Sequence, residues 1–340
     1  MQDSMRVVVL GTGRIGKMHA ELVSRQVDGA ELVGVYDVMS AAADSVAADL
    51  GVEAFDSLEA ALAANADAVA VCTSTDTHVD VMVEAARAGR AIMCEKPISL
   101  SIAEVDRGLA AVAQAGVLLQ IGFNRRFDAS HQAVAHAVAD GKVGEPHLVR
   151  ITSRDPSPPP IEYIAVSGGL FNDMTIHDFD MARYVTGSEV VEVYAKGTVL
   201  VDPAIGEAGD IDTAVILLTH ENGAMTTIDN SRQAVYGYDQ RVEVFGSLGM
   251  VASDNPLETT TVFRDRFGAA SATLPYFFLD RYTASYISEW DGFVAALRDG
   301  SPSLVSGADG RAPLVIGMAA AISHSEGRPV RIDEIDPLTS

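Results

Sequence analysis

Asp173 and His177 stand four residues apart in GGLFNDMTIHDFD, residues 168–180. On a helix that spacing puts a carboxylate and an imidazole on one face, within reach of each other. Together they make a base with an orienting partner. Imidazole titrates near neutral pH, where it can take a proton from an alcohol, and a neighbouring carboxylate can hold its orientation and stabilise its cation. The same spacing also suits a solvated first turn with an acid at the positive end of a helix. Other residues of the chain must decide between the two.

A second set lies near the start. VVVLGTGRIGKMHAELV sets Gly11, Gly13 and Gly16 in a G-x-G-x-x-G pattern, with Arg14 and Ile15 inside it, between a β-rich run and a helical one. In that context Gly11 permits a tight turn, Gly13 lets backbone approach a pyrophosphate, and Gly16 lets helix pack close to strand. The helix N-terminus then offers N–H groups and a positive dipole to phosphate. Asp37 closes the next β-rich run, 21 residues after Gly16, where a carboxylate can accept from a ribose diol. Val38, Met39 and Ser40 follow it and bring no Arg for a 2′-phosphate, which favours NAD over NADP. Farther on, CEKPIS carries Glu95 and Lys96 at the end of another run. An ammonium at a strand end can polarise a hydroxyl or ketone, although an ordinary surface pair of Lys96 with Glu95 fits the spacing equally. Ser74, Thr75 and His78, in and after TSTDT, are candidates to contact the ribose or phosphates.

Five β-rich runs (RVVVL, ELVGVYD, AVAVCT, AIMCEK and VLLQIGF) alternate with Ala-rich stretches apolar at helical spacing. Strict alternation predicts a doubly wound parallel sheet. After roughly residue 146 β-rich runs follow one another instead, with Glu221–Gly223 and Gly246–Gly249 as hairpin turns, which predicts an antiparallel sheet. The fold expectation is α/β, with a Rossmann domain over 1–122 and a second α/β domain over 123–340 whose closing helices can pack back on the first.

At 340 residues the chain is long enough for two domains. A net charge of −23 would repel a phosphate backbone and argues against nucleic acid as a partner. No apolar run is long enough to span a bilayer, and MQDSM has neither a basic region nor a signal core, so no membrane partner and a cytoplasmic location are expected. Cys72 and Cys94 lack metal-ligand spacing, and no metal is expected.

GTGRIGKMH, CEKP and the D-x-x-x-H of DMTIHDFD together resemble the glucose-fructose oxidoreductase, inositol dehydrogenase and rhizopine-catabolism family (Gfo/Idh/MocA). GFNRRFD, MTIHDFDMARY and NSRQAVYGYDQRVEVFG look most like its inositol-oxidising members. The resemblance, which runs through nearly the whole chain, implies a Rossmann domain and an α/β domain with a large, mostly antiparallel open sheet, the substrate lying between them. It implies that Lys96, Asp173 and His177 act together: His177 takes the hydroxyl proton, hydride leaves the same carbon, and Asp173 orients the imidazole. It further implies substrate contacts from Arg125, Asp155 and Tyr236, with Asn124, Asn172 and Arg154 behind them. Arg126 fits a surface charge paired with Asp128, Asp180 either lines the site or caps a backbone group, and His19 packs beneath the glycine turn.

The expected activity is NAD-dependent oxidation of myo-inositol to 2-keto-myo-inositol in a homotetramer assembled through the second sheet. Alternatives are the same chemistry on scyllo- or chiro-inositol or on an aldose such as glucose, a non-catalytic NAD-bound sensor, and a reductase running in the opposite direction.

Overall fold

The computed structural model describes residues 4–336. The chain forms two compact units, one built from the chain up to Asn124 with Ser285–Ala312, the other from Arg125–Ala284 with the chain from Pro313 onward. In the first unit β1 (Met5–Leu10), α1 (Arg14–Arg25), β2 (Ala30–Tyr36), α2 (Ser40–Leu50), β3 (Glu53–Ala54), α3 (Leu58–Ala63), β4 (Ala68–Val71), α4 (His78–Arg87), β5 (Ala91–Glu95), α5 (Ile102–Ala115) and β6 (Leu119–Gly122) alternate. Among the described residues the strands pair in parallel in the order β3-β2-β1-β4-β5-β6. Val7 to Leu10, Ala68 to Val71 and Ile92 are essentially fully buried, as expected of central strands covered on both faces. The two-residue edge strand β3 is too short to show as a β-rich run. Chain order reverses between β1 and β4, so the turn after β1 and Cys72–Thr75 after β4 flank the crevice where such sheets bind ligands.

The second unit contributes α6 (Ala129–Ala139), β7 (Pro146–Arg154), α7 (Ile161–Ile164), α8 (Gly169–Asp173), α9 (Ile176–Thr186), β8 (Val190–Thr198), α10 (Pro203–Glu207), β9 (Thr213–His220), β10 (Met225–Ser231), β11 (Asp239–Gly246) and β12 (Met250–Ser253). Next come a separate hairpin of β13 (Val262–Asp265) and β14 (Gly268–Ser271), α11 (Phe278–Asp299), α12 (Gly307–Glu326), β15 (Val330–Arg331) and α13 (Ile332–Ile335). The large sheet runs β12-β11-β7-β10-β9-β8-β15. Its pairs are antiparallel except β7 with β10, which are parallel, so a purely antiparallel reading needs that correction. Strand alternation gives the sheet two unlike faces. The inner one buries Val149, Ile151, Ile216, Leu218, Ile228 and Val244, while Leu148, Val215, Leu217, Met225, Phe245 and Met250 stand exposed on the outer one.

Residues 168–180 are not one helix. α8 ends at Asp173, Met174 and Thr175 form a turn, and α9 starts at Ile176, with the His177 N–H reaching the Met174 carbonyl at 3.3 Å. The simple i to i+4 argument therefore spans a helix break. Among the described residues no helix is long and apolar enough to cross a membrane.

The glycine turn is shaped by sterics. Gly11 has φ +92, and a side chain there would meet the Cys72 carbonyl oxygen at 2.5 Å. A Cβ on Gly16 would lie 1.8 Å from the Gly11 oxygen, whereas one on Gly13 meets nothing within 4 Å. Two glycines are thus required by packing, and the middle one by whatever approaches from outside. Gly16→Ala is expected to lower stability by at least ~1–3 kcal/mol, as overpacking does. Gly13→Ala is expected to fold within ~1 kcal/mol of the parent yet bind NAD at least ~10-fold more weakly. Urea unfolding and NAD titration read the two effects, and Gly13→Ala with undiminished NAD affinity would contradict this division.

Candidate active site

In the first unit the ends of β1, β2, β4 and β5 bring together the turn residues Gly11 to Gly16, Asp37, Cys72 to Thr75, and Glu95 with Lys96. α1 begins at Arg14 with Gly13 as its cap and no acid in its first turn, which leaves the positive end of its dipole unopposed by its own residues. Asp37 is pinned to the turn: Oδ2 accepts the Thr12 N–H at 2.6 Å and its hydroxyl at 3.1 Å, and Oδ1 accepts the Met39 N–H at 2.8 Å. Oδ1 keeps a further lone pair that a ribose hydroxyl can use. The open space before Gly13, the uncapped helix start and Asp37 fit NAD.

The His78 Nδ1 lies 2.9 Å from the Pro97 carbonyl oxygen and its Nε2 3.0 Å from that of Thr73, and the ring is buried. Burial lowers its pKa despite these two acceptors, favouring the neutral ring. A neutral ring donates to one of these two carbonyls, and the side chain braces the ends of β4 and β5. Ser74 and Thr75 open the turn between them and stay partly accessible. The Lys96–Pro97 bond is cis. Glu95 is bound to His19 at 2.8 Å rather than forming a simple surface pair, and His19 packs edge-on against Tyr286 and Trp290.

In the second unit the inner sheet face carries buried charge. Arg125 donates to Asp178 at 2.6 Å, and the other Asp178 oxygen accepts from Asn230 at 2.8 Å. Asn230 in turn accepts from the Thr175 hydroxyl at 2.6 Å, which fastens the start of α9 to β10. Burial pushes the Asp178 carboxyl up, against the pull of Arg125. Two residues farther along, Arg232 reaches Asp173 at 3.2 Å and Asp210 at 3.3 Å, while the Tyr163 hydroxyl donates to the other Asp173 oxygen at 2.9 Å. Asp173 is therefore held from two sides. Asp155 keeps some solvent access, but burial first and the charge of Asp173 second push its carboxyl up to about 7, with Arg232 and Arg125 opposing. Near neutral pH it can donate as well as accept.

The structure thus gathers Arg125, Asp155 and Asp173 in one electrostatic neighbourhood, with His177 partly exposed on the first turn of α9. Asp229 and Asn230 are successive on β10 and face opposite ways, and Tyr236 belongs with Asp229: its hydroxyl joins Arg154 at 2.9 Å and Asp239 at 2.7 Å, and Arg154 reaches Asp229 at 2.7 Å. Asn172 packs against Gly317 and donates to the Gly168 carbonyl at 3.2 Å. Arg126 is buried and forks onto Asp180, and Asp128 caps α6 and binds Arg281 at 2.6 Å. Arg232, Tyr163 and Asp178 escape a reading by motif spacing, since their partners lie 59, 10 and 53 residues away. Only the density of polar residues in NSRQ hints at the first.

Residues 5–123 match the family model described as "Oxidoreductase family, NAD-binding Rossmann fold", and 131–252 match "GFO/IDH/MocA C-terminal domain". The chain is 50% identical to the myo-inositol 2-dehydrogenase of Thermotoga maritima, covering 97% of this chain and 99% of that protein. It is 47% identical to the inositol 2-dehydrogenase of Rhizobium meliloti over the same shares. Scyllo-inositol dehydrogenase of Lactobacillus casei, solved with NAD(H) and scyllo-inositol, superposes with a TM-score of 0.90 at 28% identity, covering 97% of this chain and 99% of that one.

Replacing Asp37 by Ser and Val38 by Arg together is expected to weaken NAD by ~10- to 100-fold, the range of a lost charged hydrogen bond, and to strengthen NADP. Titration with both nucleotides checks it, and an unchanged NAD preference would remove Asp37 from the ribose.

Proposed function

Because the chain belongs to the Gfo/Idh/MocA family of NAD-dependent oxidoreductases, we propose that it oxidises myo-inositol at one ring carbon to 2-keto-myo-inositol. The observation that carries this reading is the inner face of the second unit, where Arg125, Asp155, Asp173 and Arg232 form a fixed set of donors and acceptors. A cyclic polyol presents hydroxyls all around its ring and needs such a set to be oriented. A site built for hydroxyls rejects analogues lacking them far better than an apolar pocket rejects an extra methylene. Relatives named for inositol oxidation support the substrate class.

NAD, when bound, supplies the hydride acceptor at C4 of its nicotinamide. His177 takes the hydroxyl proton as the carbonyl forms. Asp173, tied down by Arg232 and Tyr163, orients the imidazole and offsets its charge. Lys96 stabilises alkoxide character on the reacting oxygen. Arg125 and Asp155 hold neighbouring hydroxyls, and the raised Asp155 carboxyl can act there as donor or acceptor. Scyllo-inositol is the nearest alternative, supported by the L. casei relative. A sensor without catalysis would have no use for a base, an orienting acid and an ammonium together. The exposed apolar residues of the outer sheet face support burial against a second copy, and a homotetramer is the assembly we expect.

Mixing the protein and NAD separately with myo-, scyllo- and chiro-inositol and glucose, and following NADH absorbance, is expected to give the fastest turnover on myo-inositol. Silence on all four with NAD bound would favour the sensor. His177→Ala is expected to lower kcat by ~10² to 10⁴ while NAD affinity holds, and near-parent turnover would take His177 out of the mechanism.

A further inference from the structure

Glu289, on α11 within the first unit, is fully buried, and neither of its carboxyl oxygens has a hydrogen-bond partner among the described residues. Its neighbour Trp290, the only tryptophan of the chain, donates its indole N–H to His19 Nδ1 at 2.9 Å. Indole is a donor only, so His19 Nδ1 accepts and the ring carries its proton on Nε2. That Nε2–H then donates to Glu95 at 2.8 Å. Gly122, opposite Glu95 in register, leaves the carboxylate room: a Cβ there would lie 3.0 Å from its Cδ. The Gln120 side-chain amide holds the Glu289 carbonyl at 2.9 Å, fixing this turn of α11 against β6.

Two carboxyls therefore share one buried neighbourhood. Glu95 receives a donor and Glu289 receives none. Two buried charges of one sign without a cation would be costly, so the proton belongs on Glu289. Burial first and the charge of Glu95 second raise the Glu289 carboxyl well above its usual range. The ionisable groups that act on it are Glu95 on β5 and Cys72 beyond β4, and burial raises that thiol.

We propose that Glu289 is kept as a neutral acid, so that Glu95, held by the Trp290–His19 chain, is the single carboxylate charge at the end of β5, one residue from Lys96, and that it is Glu95 that sets cofactor affinity. The inference rests on the cofactor assignment of Glu95 and Lys96 and not on the polyol. A carboxyl that keeps its proton to higher pH when folded loses stability as pH rises from the unfolded value toward the folded one, and Gln, an uncharged isostere, removes that loss.

The test compares Glu289→Gln and Glu95→Gln with the parent. Expected for Glu289→Gln are loss of a protonated-carboxyl band from the infrared spectrum, NAD affinity within about threefold of the parent, and a melting temperature matching it at pH 4 but exceeding it by ~2–4 °C or more at pH 8. Glu95→Gln is expected to weaken NAD by about tenfold or more. An unchanged infrared band, melting curves that track each other at every pH, or equal loss of NAD binding in both variants would overturn the proposal. None of these readings uses a polyol, so a failed inositol assay and a failed Glu289 test are told apart.

Discussion

A charge taken out of water must find an opposite charge or give up its ionisation. Both units are organised around that rule. In the second, Arg125 meets Asp178, Arg126 meets Asp180, Arg281 meets Asp128, and Arg232 stands between Asp173 and Asp210, all with the guanidinium almost fully buried. Apolar residues of similar volume would pack there at no electrostatic cost, so such pairs are weak evidence for stability. What they supply is fixed direction. Each forked guanidinium pins a carboxylate on an element that another strand or helix must position, and Asp173 is one of those pinned groups. In the first unit no described residue places a cation on Glu289, where a retained proton would satisfy the same rule.

The cofactor turn obeys a different limit, that of volume. Gly11 and Gly16 are squeezed by the Cys72 backbone and by each other, so the turn closes only when both lack a side chain. Once closed, it points the first turn of α1 outward and brings Thr12 against Asp37. One carboxylate thereby completes the turn from the end of the neighbouring strand. Electrostatics in one unit and sterics in the other are each local. They share a logic in which the residues that do chemistry are held by partners that do none.

Much of this was legible in the sequence because its signals are local. Alternating β-rich and Ala-rich runs mark the parallel sheet, the glycine spacing marks the turn, and Asp37 follows at the right interval. The parallel pairing of β7 with β10 was hidden, since two strands separated by about 75 residues leave no turn signature to reveal their direction. The Tyr236 hydroxyl is held by Arg154 and Asp239, partners that only the fold brings together. The carbonyls beside the His78 ring are backbone groups, which no side-chain pattern reports. Glu289 sits in ISEWDGFVAALRDG like any polar residue of an amphipathic helix, and only its burial sets it apart.

The central claim is that hydride passes from one inositol carbon to NAD while the protein takes the proton. Myo-inositol deuterated at C2 tests it directly. Transfer of the deuterium to C4 of the reduced cofactor, with slower turnover than the protiated substrate, is the predicted result, whereas reduced cofactor that carries no deuterium would contradict the account.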